Sequence, residues 1–253
     1  MRHGAQARLR ARFPWFDGRM LQASIPRPLR LGLLLAAIAL TANLAAAVLL
    51  DFGIGDAAVL ETTRKLLMWA LLPPIIVALV RIGALTHPVG RWHLLALVLC
   101  WLADGLGSAT EQTIVLLSLF LVGHLCYIAA LWPTRRRALV WGWGALGYGI
   151  VGLIAGGIIA ASAGPLALPV LVYALVLAAM AAFAALDTIG LLGGLLFLVS
   201  DLVLGLGLYV IEIPDALRAF VVLVPYVGAQ AMLALSLQQR LGLGAGSRST
   251  RKD

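Results

Sequence analysis

Residues 189–210 read IGLLGGLLFLVSDLVLGLGLYV, a run of 22 residues broken by a single ionisable side chain, Asp201. At 1.5 Å per residue such a run makes a helix of about 33 Å, the thickness of a bilayer core. Its apolar residues are continuous rather than alternating, which selects a spanning helix over a barrel strand. Seven more stretches read the same way. Together they predict spans at about Leu31 to Leu50, Lys65 to Val80, Trp92 to Gly107, Thr113 to Leu131, Ala138 to Ala160, Leu166 to Leu186, Ile189 to Val210 and Leu217 to Leu237.

The whole chain agrees with this reading. Of 253 residues, 62% are hydrophobic and 12% charged, about half the charged share of a soluble domain. The expected fold is an all-α, polytopic membrane bundle of about eight helices over residues 31–238. It is flanked by basic tails at 1–30 and 239–253 that are too short and polar to fold alone. Leu31 to Ala47 ends in small residues like a signal peptide, but its basic leader is too long and the apolar run continues to Leu50, so an uncleaved first span is expected.

Charge sets the orientation. With both termini cytoplasmic, sixteen of the nineteen basic residues fall inside, and only Arg64, Lys65 and Arg218 fall outside. A miscount of one span would scramble this positive-inside asymmetry, so an even number is expected, in a bacterial-type plasma membrane. The net charge of +8 resides in tails and connections, without a basic face interleaved with aromatics, so no nucleic-acid partner is expected.

Polar residues within the spans carry the chemistry. An ionisable group at the bilayer centre costs about 2.5–3.5 kcal/mol, which makes each one a candidate for function. Asp104 lies twelve residues after Trp92 and Asp201 twelve after Ile189, both about 18 Å into spans that enter from the cytoplasm. Gly194, Phe197 and Gly205 share the face of Asp201, turning it toward other helices. His124 and Tyr127 lie on one face of the fourth span, Tyr226 and Gln230 one turn apart in the eighth, and Tyr173 in the sixth. Interhelical hydrogen bonding is the bland reading of these groups, and a buried polar chamber the functional one. Lys65 and Arg64, expected at the outer mouth of the second span, suit an anionic headgroup or simple snorkelling.

Other signals are read as structural. Cys100 and Cys126 lie in apolar runs as small buried hydrophobes. Gly142, Gly144 and Gly147 match a dinucleotide fingerprint but have no preceding strand, and with Gly149, Gly152, Gly156 and Gly157 they suggest close helix packing. Asp51, Asp56, Glu61, Glu111, Glu212 and Asp215, and the run Arg135 to Arg137, are expected as solvated loop charges. No cluster of histidines, cysteines and carboxylates has ligand spacing, so neither a metal nor another cofactor is expected.

The order of these motifs resembles the YhhN-like family, which includes the transmembrane protein 86 lysoplasmalogenases. The resemblance covers about residues 60–237. It rests on Lys65 opening a span, Leu94 to Asp104, and the stretch Phe120, His124, Leu125, Tyr127. Pro169 with Tyr173 and Met180, Gly193 to the Ser200-Asp201 pair, and Tyr226 to Gln230 continue it. Leu66 and Ala103 stand where the family often has proline and usually glycine.

The resemblance implies hydrolysis of the vinyl ether bond of a lysophospholipid, the lysoplasmalogen, within a membrane. It implies Asp104 and Asp201 as catalytic acid and base, with Lys65, His124, Tyr127, Tyr173, Ser200, Tyr226 and Gln230 binding or orienting the substrate. Two other classes fit intramembrane carboxylates: a transporter, for which Pro73 and Pro74 are the best feature, and a silent lipid-binding protein of the same fold.

Overall fold

The computed structural model of the chain describes residues 25–140 and 142–243, so most of both expected tails lies outside the described residues. Eight helical spans are long and apolar enough to cross a membrane, and the described residues contain no strand. They are α1 (Arg27–Asp51), α2 (Ala57–Ala70) continuing into α3 (Pro73–Arg81), α4 (Pro88–Thr110), α5 (Thr113–Leu131), α6 (Trp143–Ser162), α7 (Ala167–Ala184), α8 (Thr188–Tyr209) and α9 (Asp215–Leu241). An even number of spans brings Arg27 and Leu241 to the same end of the bundle.

Helix contacts close a ring in the order α1, α2/α3, α4, α5, α7, α8, α9 and back to α1. Outside this ring stands α6, packed mainly on α7. Each ring helix therefore turns one face inward, where the polar residues gather, and another outward, as apolar as the exposed Leu34, Leu35 and Ile38 of α1. In lipid such a face needs no partner.

Several spans begin or end elsewhere than their apolar runs predict. The second starts at Ala57, capped by Asp56, whose Oδ1 accepts from the Val59 amide at 3.0 Å. Lys65 thus lies two turns inside a helix rather than at its opening. Polar Glu61, Thr62, Thr63 and Arg64 hide that start in the sequence, although a helix that borders a charged recess through Glu61 and Arg64 accommodates them. The fifth span starts at Trp143, so Gly142 lies ahead of the helix with a left-handed φ of 85° that favours glycine. The third span continues six residues past Asp104, to Thr110.

Pro73 and Pro74 interrupt the second span at Leu71 and Leu72. Proline has no N–H, so the Trp69 carbonyl loses the partner that residue 73 would supply in a continuous helix. The indole Nε1 of Trp101 donates to that carbonyl at 2.8 Å, and the two indoles meet edge to face with centroids 5.4 Å apart. A packed neighbouring helix thus repairs the break, as it must where water is scarce.

Glycines permit close approach at selected points. A Cβ on Gly152 would stand 2.7 Å from that of Ala178, and one on Gly156 would stand 2.6 Å from that of Ala174, so these two seat α6 against α7. Gly147, Gly149 and Gly157 would meet nothing within 4 Å, so the expected packing role holds for only part of the glycine run.

Candidate functional site

Counted from the end opposite the termini, Asp104 lies six residues below the end of α4, and Asp201 eight residues below the end of α8. Those offsets correspond to depths of about 9 and 12 Å. The two carboxylates therefore share one layer, in the half of the bundle remote from the termini. Both are buried, at 4% and 8% exposure, which rules out hydration as their main stabilisation.

Each carboxylate has its own tyrosine. Tyr226 of α9 donates its hydroxyl to Asp104 Oδ2 at 2.7 Å. Tyr173 of α7 donates to Asp201 Oδ2, and the His124 Nε2 of α5 lies 3.1 Å from the same tyrosine oxygen and 3.6 Å from that carboxylate oxygen. With the Tyr173 proton directed at Asp201, His124 Nε2 is the donor in its contact with Tyr173. His124 Nδ1 is buried without a hydrogen-bond partner.

A belt of rings joins the two pairs. Phe197 packs edge to face against His124 at 4.7 Å and against Tyr226 at 5.5 Å, while Phe120 meets Tyr226 at 5.8 Å. These aromatic contacts hold the hydrogen-bonding side chains in one rotamer each. Beneath the belt, Tyr127 donates to Gln230 Oε1, tying α5 to α9. Ser200 donates to the Val222 carbonyl at 3.0 Å, so its hydroxyl joins α8 to α9.

Two recesses reach this layer, one at each aspartate. One, of about 470 Å³, is walled by Asp104, Arg64, Lys65, Glu61, Glu111 and Arg218 among others. The other, of about 250 Å³, is apolar apart from Asp201 and two tyrosines, and runs past Gly156, Ile159, Val170 and Gly205. Leu116, Leu204 and Leu208 line both, so the recesses share a wall. A charged compartment holding one aspartate thus adjoins a greasy one holding the other, as an amphiphile with a polar head and a single chain would require.

The charges of the polar recess are unequally paired. Lys65 Nζ holds Glu111 at 2.7 Å across its mouth, and the hydrogen bond and charge of that ammonium keep the exposed Glu111 carboxyl below its usual range. Arg218 pairs with Asp215. Arg64 has a buried Nε with no hydrogen-bond partner among the described residues, which leaves a guanidinium suited to an anion. Glu61 and Glu111 border this recess, and Glu61 lies on α2 rather than in the loop expected from sequence.

Asn43 and Asp187 are among the buried polar groups that escape sequence reasoning. Asn43 of α1 is 1% exposed and borders the polar recess, its Nδ2 donating to the Arg64 carbonyl at 3.1 Å and its Oδ1 unpaired. One asparagine in an apolar span was the available signal. Thr41 beside it, which only bonds its own helix at Ala37, shows how weak that signal is. Asp187, at the end nearer the termini, caps α8 through the Gly190 amide at 2.7 Å and accepts from Ser236 at 2.7 Å. Arg240 stands 3.9 Å from it, a structural cluster remote from the recesses.

Comparison with known proteins gives one match: the family model described as the YhhN family covers residues 60–237. That stretch holds both aspartates, their tyrosines and His124, and leaves out α1. No curated protein and no solved structure matches the chain.

Proposed function

We propose that this chain, which belongs to the YhhN family, is an integral-membrane hydrolase. Its substrate is a lysoplasmalogen, whose vinyl ether it cleaves to a fatty aldehyde and a glycerophospho-headgroup compound. The observation that carries the reading is that a charged recess bordered by one buried aspartate shares a leucine wall with an apolar recess bordered by the other. The headgroup phosphate sits against Arg64 with Lys65 nearby, the alkenyl chain enters the apolar recess, and the ether bond lies between Asp104 and Asp201.

Vinyl ether hydrolysis begins with proton transfer to the alkenyl carbon next but one to oxygen. The carbon attached to oxygen becomes an oxocarbenium ion, water adds there and loses a proton, and the resulting hemiacetal breaks to aldehyde and alcohol. A positioned acid and a positioned base are required, as with the paired carboxylates of glycosidases. Asp201 borders the chain compartment and donates the first proton. Asp104 borders the polar compartment, through which water arrives; its carboxylate stabilises the cation and removes the proton from water. Tyr173 and His124 orient Asp201, and Tyr226 orients Asp104.

The distribution of basic residues supports termini on the cytoplasmic side of a bacterial-type plasma membrane, with the charged recess open to the outside. Transport draws support from the interrupted second span, but the other described spans are continuous, whereas paired broken helices mark a transporter site.

Detergent-purified protein incubated with lysoplasmalogen tests the reading. Wild type is expected to release aldehyde, and an Asp201→Asn protein that elutes identically on size exclusion is expected to release none. A folded Asp201→Asn protein with full activity, or a folded wild type without any, overturns it.

A further inference from the structure

The Oδ1 of Asn43 is an acceptor buried in the wall of the polar recess, with no hydrogen-bond donor among the described residues. Its amide is not free to turn, because Nδ2 is engaged by the carbonyl of Arg64. Leaving such an acceptor unpaired costs about 1–3 kcal/mol, a penalty that a bound ligand with a hydroxyl or N–H removes.

Depth distinguishes the donors that a lysophospholipid offers. Asn43 lies eight residues below the end of α1, Arg64 seven residues into α2, and Asp104 six residues below the end of α4. All three are therefore about 9–12 Å from the same end of the bundle. A headgroup ammonium extends beyond the phosphate, toward the mouth, where the exposed Glu61 and Glu111 offer carboxylates. The donor that lies between the phosphate and the ether bond is the free hydroxyl on the central glycerol carbon.

We infer that Asn43 Oδ1 accepts a hydrogen bond from that hydroxyl and so selects lysolipids over lipids without a free hydroxyl there. The inference rests on the hydrolase reading above. It assigns a specificity role to α1, which lies outside the residues matched by the family model. An acyl group on that carbon has no proton to give and would press its chain toward a buried asparagine. A site built to bond a hydroxyl rejects the analogue that lacks it, because its own polar group stays unpaired.

The test compares aldehyde release from 1-alkenyl-glycerophosphoethanolamine with release from its 2-deoxy analogue, which is no larger and differs only in the missing hydroxyl. Wild type is expected to prefer the hydroxylated substrate by about tenfold in kcat/KM, the factor carried by one neutral hydrogen bond. In Asn43→Leu that preference is expected to shrink to within about twofold, through loss on the hydroxylated substrate alone. A purely structural role for Asn43 would lower both rates together, and that result overturns the inference. Equal rates for the two substrates in wild type overturn it without any variant, while leaving the hydrolase reading intact. Folded wild type that releases aldehyde from neither substrate overturns both.

Discussion

Tyr226→Phe removes one atom from the site and little else. The ring still packs against Phe120 and Phe197, whose centroids lie 5.8 and 5.5 Å away, so the aromatic belt should survive. What disappears is the 2.7 Å hydrogen bond to Asp104 Oδ2, in a place where both residues are at most 4% exposed. A hydrogen bond to a charged group contributes about 1.5–3 kcal/mol. If Tyr226 orients the base, that energy is lost from the transition state, and at 1.36 kcal/mol per decade kcat/KM falls by about 10- to 100-fold. The assay is aldehyde release at several substrate concentrations, with size exclusion to verify folding. Combining Tyr226→Phe with Asp104→Asn should cost no more than Asp104→Asn alone, because the tyrosine acts through the aspartate. A folded Tyr226→Phe protein within twofold of wild type would show that Tyr226 does not orient Asp104 for catalysis.

Arg64→Gln should raise KM by about tenfold with kcat nearly unchanged, since it removes a charge-assisted contact made equally in ground and transition states. A fall in kcat alone would contradict the phosphate role. Gly156→Leu should destabilise the α6–α7 pair by about 1–3 kcal/mol, because even a Cβ there would stand 2.6 Å from that of Ala174, and a thermal unfolding scan reads the loss. The same change at Gly149, with nothing within 4 Å, should leave the transition unmoved. Lys65→Met should return the depressed Glu111 carboxyl to its ordinary range, as followed by NMR titration. Because that carboxyl is depressed by its partner, any contribution of the pair is fully present above the usual carboxylate range and is lost as pH falls below that range, through the lowered Glu111 value.

The spans were legible because lipid leaves the chain few options: Ile189 to Val210 differs from α8 by one residue at each end. Legibility failed where apolarity and helicity part company. Glu61 to Arg64 are too polar to suggest a span, yet Asp56 caps a helix that runs through them beside a charged recess. The site divides likewise. Asp104, Asp201 and the tyrosines stand out because an ionisable or hydroxyl group in an apolar run is costly. Which tyrosine serves which aspartate depends on the order of helices around the ring, and nothing in the run of residues states that α9 faces α4. The partners of Asn43 and of the Trp101 indole are hidden for the same reason, since the Arg64 and Trp69 carbonyls carry no side-chain signal.

Running the reaction in D2O reads out carbon protonation by an intramembrane carboxyl. Aldehyde captured by immediate reduction and weighed by mass spectrometry should carry one deuterium on the carbon next to the former carbonyl, and no aldehyde should form when Asp201→Asn replaces the wild type. Aldehyde formed by the wild type without that deuterium would contradict protonation at carbon and, with it, the role assigned to the two aspartates.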